Sequence, residues 1–204
     1  MDKYFIQKTK QYKINERNKQ MKRQIRRSVF ETNSSSTHSI CISKKPAAIR
    51  DFIHFRIGEY GWENDCVDTA GYLYTAILEQ YEADELLEQL KEILDNYSIK
   101  YEFEEPSYDT SSDGQYKWLN DGYIDHANET RDFIFAVLND EDMLMRCLFG
   151  ADSCVYTGND NQDCSPAGCN IADETIWEYK DGKCIERKNP YHDPENYDYF
   201  FKSN

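Results

Sequence analysis

The spacing of apolar positions changes several times along the chain, and each change predicts an element. Val29 and Phe30 lead into the run FETNSSSTHSICI, which returns to alternation at Ile40 and Ile42. Ser34, Ser35, Ser36, Thr37 and Ser39 carry hydroxyls that bond nearby backbone and so favour turns over ladders. The run is therefore expected to be a turn or crossover between strands at 26–30 and 39–43, with His38 at the mouth of the second. Residues 51–58 set Ile53, Phe55 and Ile57 against Phe52, His54 and Arg56, a strand pattern with His54 on the wetter face. Asp68 or Thr69 can cap a helix through Tyr81, with Leu73, Ile77 and Tyr81 four apart. A second helix, 84–96, gathers Leu86, Leu87, Leu90, Ile93 and Leu94 into one stripe, and a strand follows at 98–103. Residues 104–121 read as a long polar loop.

Helices are expected again at about 129–138, with Phe133, Ile134, Val137 and Leu138 facing inward, and at 140–149. A strand at 153–157 ends at Gly158. Strands at 175–179 and 183–186 then flank Lys180-Asp181-Gly182, where Asp-Gly favours a tight hairpin turn. The aromatic tail, 191–201, is expected to pack back on the body, since its exposure would leave a large apolar patch. Together these elements predict an α+β fold. Its mainly antiparallel sheet would combine the N-terminal strands, the strand near residue 100 and the C-terminal hairpin, covered by three or four helices, with a cysteine-rich C-terminal loop.

Charge changes the picture more than composition does. Thirty-eight acidic against twenty-four basic residues give a net charge of −14 over 204 residues. A general nucleic-acid binder needs a basic face, so that class is disfavoured. An acidic surface can instead occupy a basic groove on another protein. Residues 1–27 hold ten Lys or Arg and two acids, a net of +8, which leaves −22 on the rest. Residues 1–20 read as a basic N-terminal extension and 21–204 as one domain, with a zinc-binding subregion expected at 147–190. No secretory apolar region and no apolar run of about 20 residues occurs, so the expectation is a soluble, cytoplasmic protein without membrane contact.

Among seven cysteines, Cys154, Cys164, Cys169 and Cys184 surround a Gly-rich polar loop and the adjacent hairpin. Four thiolates can close a tetrahedral zinc shell, so a structural zinc ion is the expected cofactor, with His126, His192 or Cys147 able to replace one ligand. The other reading is that some of these cysteines are small buried hydrophobes and others free thiols. His38, Asp125 and His126 are a second candidate group, either structural or a carboxylate-oriented imidazole of the kind used by metal ligands and general bases. Common nucleotide, nucleophile-elbow and zinc-protease motifs are absent, so no catalytic residue is assigned and a non-enzymatic role is expected.

The segments Arg26 to Ser39 (RRSVFETNSSSTHS), Gly58 to Glu63 (GEYGWE), Tyr123 to His126 (YIDH) and Thr157 to Asn161 (TGNDN) together resemble a family of small proteins from phages and prophages of low-GC Gram-positive bacteria. Members of that family usually begin near the position of Met21. The chain also resembles acidic phage inhibitors of CRISPR effectors, among which zinc-containing Cas9 inhibitors are known. That resemblance implies a CRISPR effector such as Cas9 as partner and blocked nucleic-acid loading as the effect. Glu104, Glu105, Asp109, Asp113 and Asp121 are the candidate contacts by charge and expected exposure. The alternative is a zinc-dependent or His-based phage hydrolase using His38, Asp125 and His126.

Overall fold

The structure is a computed structural model, and it describes residues 36–61, 65–114, 117–125, 127–159 and 174–202. The chain divides into two units, 1–30 and 31–204, and all the described residues belong to the second. The expected strand at 26–30 lies outside the described residues.

The first strand, β1 (Ser36–Ser43), begins three residues earlier than its sequence pattern suggests and is buried almost throughout. Ser36, Thr37 and His38 belong to the ladder, not to a turn, which corrects the expectation for that part of the run. Burial explains the difference. One neighbouring strand (Cys154–Asn159) supplies backbone partners to Ser36 and Thr37, and another (Tyr197–Lys202) joins on the other edge from His38 onward, so the hydroxyls do not have to supply them. Next come β2 (Phe52–Phe55), β3 (Glu59–Tyr60) and β4 (Asp65–Val67). Ile53 and Phe55 are buried while His54 is half-exposed, as alternation predicts.

Helix α1 (Thr69–Leu78) starts at Asp68, whose carboxylate accepts from the Gly71 N–H at 2.8 Å. All ten of its residues are buried, so it is a central helix and not an amphipathic one. It stops before Tyr81, which is 84% exposed, so Tyr81 does not join Leu73 and Ile77 in the core. Helix α2 (Ala83–Asn96) is amphipathic as expected, with Leu86, Leu90, Ile93 and Leu94 inward. The chain then forms β5 (Lys100–Phe103), β6 (Tyr108–Thr110), β7 (Lys117–Leu119) and β8 (Tyr123–Ile124). Helices α3 (Arg131–Asn139) and α4 (Glu141–Phe149) follow a short 3-10 turn at Ala127–Thr130. The last strands are β9 (Cys154–Asn159), β10 (Thr175–Lys180), β11 (Lys183–Lys188) and β12 (Tyr197–Lys202).

The α+β class is correct, but the main sheet is assembled from different strands. Its order is β12-β1-β9-β4, antiparallel throughout. The strand near residue 100 pairs in parallel with β2, and the C-terminal hairpin β10-β11 forms its own two-stranded sheet. The aromatic tail provides the remaining edge. On one face of the sheet, Ile40, Ile42 and Val155 join the core formed with α1, α2, α3 and α4. On the other, Cys41 and Tyr156 pack with Cys154, Tyr191, Tyr197 and Tyr199.

Arg146 on α4 ties this sheet to the helices. Its guanidinium donates to the Ser43 carbonyl at 3.0 Å and to Asp198 at 3.1 Å, and it also reaches Asp142. The Asp142 carboxylate is 84% exposed, so the buried Ser43 and Asp198 contacts carry most of the effect. Replacement Arg146→Met should therefore destabilise the protein by about 3 kcal/mol, read as a lower urea midpoint, with β12 losing amide-exchange protection first.

Candidate functional site

A buried polar group links β1 to α1 through His38 and Tyr72. His38 is fully buried, and its Nδ1 lies 2.7 Å from the Tyr72 hydroxyl. The two rings meet edge-on at 5.6 Å, and Tyr72 in turn meets Tyr60 edge-on at 5.3 Å and Phe133 at 6.0 Å. Burial pushes the Tyr72 phenol well above its ordinary pKa, with the Glu79 carboxylate adding to the effect. A phenol held in its protonated form can donate to Nδ1, placing the ring proton on Nε2.

The Nε2 side of the imidazole faces Gly61 and Asp125. Gly61 has φ +147°, and a Cβ there would lie 2.7 Å from the Asp125 Cβ and 3.6 Å from His38 Nε2. Glycine is thus required both by the backbone and by the close approach of β3 to β8. The two short strands pair in parallel, and Asp125 N–H donates to the Tyr60 carbonyl at 3.0 Å. Glu79, at the end of α1, accepts from the Ile124 N–H at 2.8 Å and holds β8 against the helix. The structure therefore brings His38 and Asp125 together beside Gly61, which their residue types alone did not show. His126 lies outside the described residues.

Tyr60, Gly61 and Tyr72 are the members of this corner that sequence reasoning missed. A signal was present: TAGYLYTAIL has no charged face, so its tyrosines had to be buried and their hydroxyls had to find partners.

The five candidate partner-binding acids lie on a structured segment. Residues 104–121 contain the β6-β7 hairpin, which corrects the long-loop expectation. Two three-residue strands are too short for alternation to announce them. Glu104 accepts from the Ile57 N–H at 2.8 Å, its carbonyl receives the Tyr74 hydroxyl at 2.7 Å, and Asp121 accepts from the Ser107 N–H at 3.0 Å. Lys117 lies 3.6 Å over the Tyr108 ring. Tyr108 pairs with Leu119 on the inward face, which turns Asp109 and Trp118 outward. Asp113 accepts from the Ser111 hydroxyl beside the turn at Gly114. All five acids are exposed; Glu104 and Asp121 fix the segment, while Glu105 and Asp109 project from it.

Of the four expected zinc ligands, Cys154 stands on β9 and Cys184 on the exposed hairpin, both as thiols, while Cys164 and Cys169 lie outside the described residues. Cys41, which spacing did not select, is directly opposite Cys154 across the β1-β9 ladder. Among the described residues, no three His, Cys, Asp or Glu side chains converge as a metal site. Cys147 is a poor substitute ligand, because burial pushes its thiol from about 9 to about 12 and keeps it protonated. His192 packs against Tyr199 at 4.2 Å. Among the described residues, no helix is long and apolar enough to cross a membrane.

Burial also raises Tyr60 and Tyr74 to about 12. Each of these groups holds its proton in the folded chain at a pH where the unfolded chain would release it. Their contribution to stability is thus complete below the unfolded values and is lost as pH rises through the folded ones. The urea midpoint should stay level up to about pH 9, where an exposed Cys147 thiol would ionise, and fall steadily toward pH 12. Tyrosinate absorbance followed alongside should show Tyr72 ionising only with unfolding.

Comparison of the chain with protein-family models, with curated proteins and with solved structures found no match.

Proposed function

We propose that this chain is a binding protein that engages a basic, nucleic-acid-handling partner through the acidic β6-β7 segment, and that the partner is a bacterial CRISPR effector such as Cas9. The observation that carries the reading is the fixed presentation of Glu105 and Asp109. Their hairpin is clamped by Glu104, Asp121, Tyr74 and the Lys117-Tyr108 contact, so a partner meets preorganised carboxylates and does not have to order a loop. The net charge of −22 beyond residue 27 would speed encounter with a basic groove. Carboxylates seated there replace the phosphates of guide or target and block loading. Such a protein acts in the cytoplasm of the bacterial host.

The rival reading, a hydrolase using His38, Asp125 and His126, draws on the shared corner of His38 and Asp125 around Gly61. The full burial of His38 favours a positioning role for that imidazole over contact with a substrate. One assay separates the two. Inhibition of Cas9 cleavage and co-purification with Cas9 should weaken by at least about tenfold in Glu105→Lys/Asp109→Lys, with an unchanged urea midpoint, and should persist in His126→Ala. Full inhibition by the charge-reversed protein would overturn the acidic-surface reading, and loss of inhibition in His126→Ala alone would favour the hydrolase.

Zinc belongs to the same proposal. Cys154, Cys164, Cys169 and Cys184 would hold it as four thiolates and tie the polar segment between β9 and β10 to the hairpin. Elemental analysis of protein purified without a His-tag should find about one zinc per chain, reduced in Cys164→Ser and Cys169→Ser. Metal-free protein with unchanged stability would remove the zinc site from the proposal.

A further inference from the structure

The hairpin β10-β11 is exposed along nearly its whole length. Trp177 is 67% and Tyr179 76% exposed, and the ladder sets both on one face, opposite Glu186 and Cys184. Its turn is well made: Asp181 and Gly182 both take positive φ, 53° and 75°, as a two-residue hairpin turn requires. Even so, an isolated two-stranded ribbon is marginal in water, and the described residues offer no third strand to either edge. An open edge beside exposed aromatics is a template for another strand.

We infer that the hairpin pairs with the same hairpin of a second copy, β10 against β10, to form a four-stranded antiparallel sheet across a two-fold axis. Charge selects this occupant. Residues 174–188 carry four acids and four bases, so this element is neutral although the chain beyond residue 27 is at −22. A strongly basic partner finds no attraction here, whereas a second hairpin meets no net repulsion.

Charge also selects the edge and the register. With the axis at Trp177, the sequence ETIWEYK sets Glu174 opposite Lys180 of the second copy at both ends, Thr175 opposite Tyr179, and Trp177 opposite Trp177. Opposite charges and aromatic pairs facing each other across an antiparallel ladder are favourable. An axis at Glu178 would oppose two glutamates. The other edge, KCIERK, sets Lys183 against Lys188 or Arg187 in its long-overlap registers, and like charges directly opposite are unfavourable. The isologous β10 pair also merges Trp177 and Tyr179 of both copies into one apolar patch, reducing the exposure of each.

Sedimentation velocity of the full chain across a concentration series tests this. Wild type should approach twice the 24.1 kDa chain mass as concentration rises. Lys180→Glu, which puts glutamate opposite Glu174, should weaken association by at least about tenfold. Within one hairpin that change replaces the Lys180-Lys183 like-charge pair by an attractive one, so loss of the dimer would not reflect a melted hairpin. The exchange Glu174→Lys/Lys180→Glu should restore association. A wild type that stays at 24.1 kDa throughout, a dimer indifferent to Lys180→Glu, or a failure of the double exchange to restore it would each overturn the pairing.

Discussion

Helix α1 is buried at all ten positions while carrying two threonines and two tyrosines, and hydroxyls in that position must be bonded within the protein. Each bond commits a different neighbour. Thr69 donates to the Cys147 carbonyl at 2.7 Å and fixes the end of α4. Tyr72 reaches His38 on the central strand, and Tyr74 reaches the Glu104 carbonyl at the base of the acidic hairpin. Thr75 donates to the Gly71 carbonyl and accepts the Gly58 N–H at 3.1 Å, which anchors the turn into β3. Gly71 lets this happen, since a Cβ there would lie 2.7 Å from the Tyr60 hydroxyl. One helix thus sets the positions of the main sheet, the buried histidine corner and the acidic segment together.

This arrangement makes the histidine corner and the acidic hairpin mechanically related though chemically separate. The corner is closed: its imidazole is fully buried, its phenol is raised well above the ordinary range, and its glycine admits no side chain. The hairpin is open, with carboxylates turned outward from a face that packs Tyr108 and Leu119 inward. Rigidity from the first supports presentation by the second. The proposed binding role would draw on both, with the interior supplying shape and the exterior supplying charge.

The other exposed element, β10-β11, follows a different logic. It contributes little to the core, and its residues are neutral in sum where the rest of the domain is acidic. The proposed acidic contact with a basic partner and the inferred pairing of the neutral hairpin with its own copy are compatible on one chain, because charge separates the two surfaces.

Amphipathic α2, the α3 and α4 helices, the Asp181-Gly182 turn and the packing-back of the tail were all legible in the residues, because local periodicity and turn chemistry act within one or two turns of chain. So was the −14 charge, whereas the residue types alone did not show that His38 and Asp125 meet. The tertiary structure alone decided that Ser36, Thr37 and His38 are strand, since that depends on β9, which pairs with all three, and on β12, which joins at His38, both arriving from more than a hundred residues away. It also decided that residues 104–121 fold into a hairpin and that Cys41 faces Cys154. Hydroxyl-rich segments state a local preference for turns in sequence, but long-range ladder bonds and burial outweigh that preference once the partners are in place.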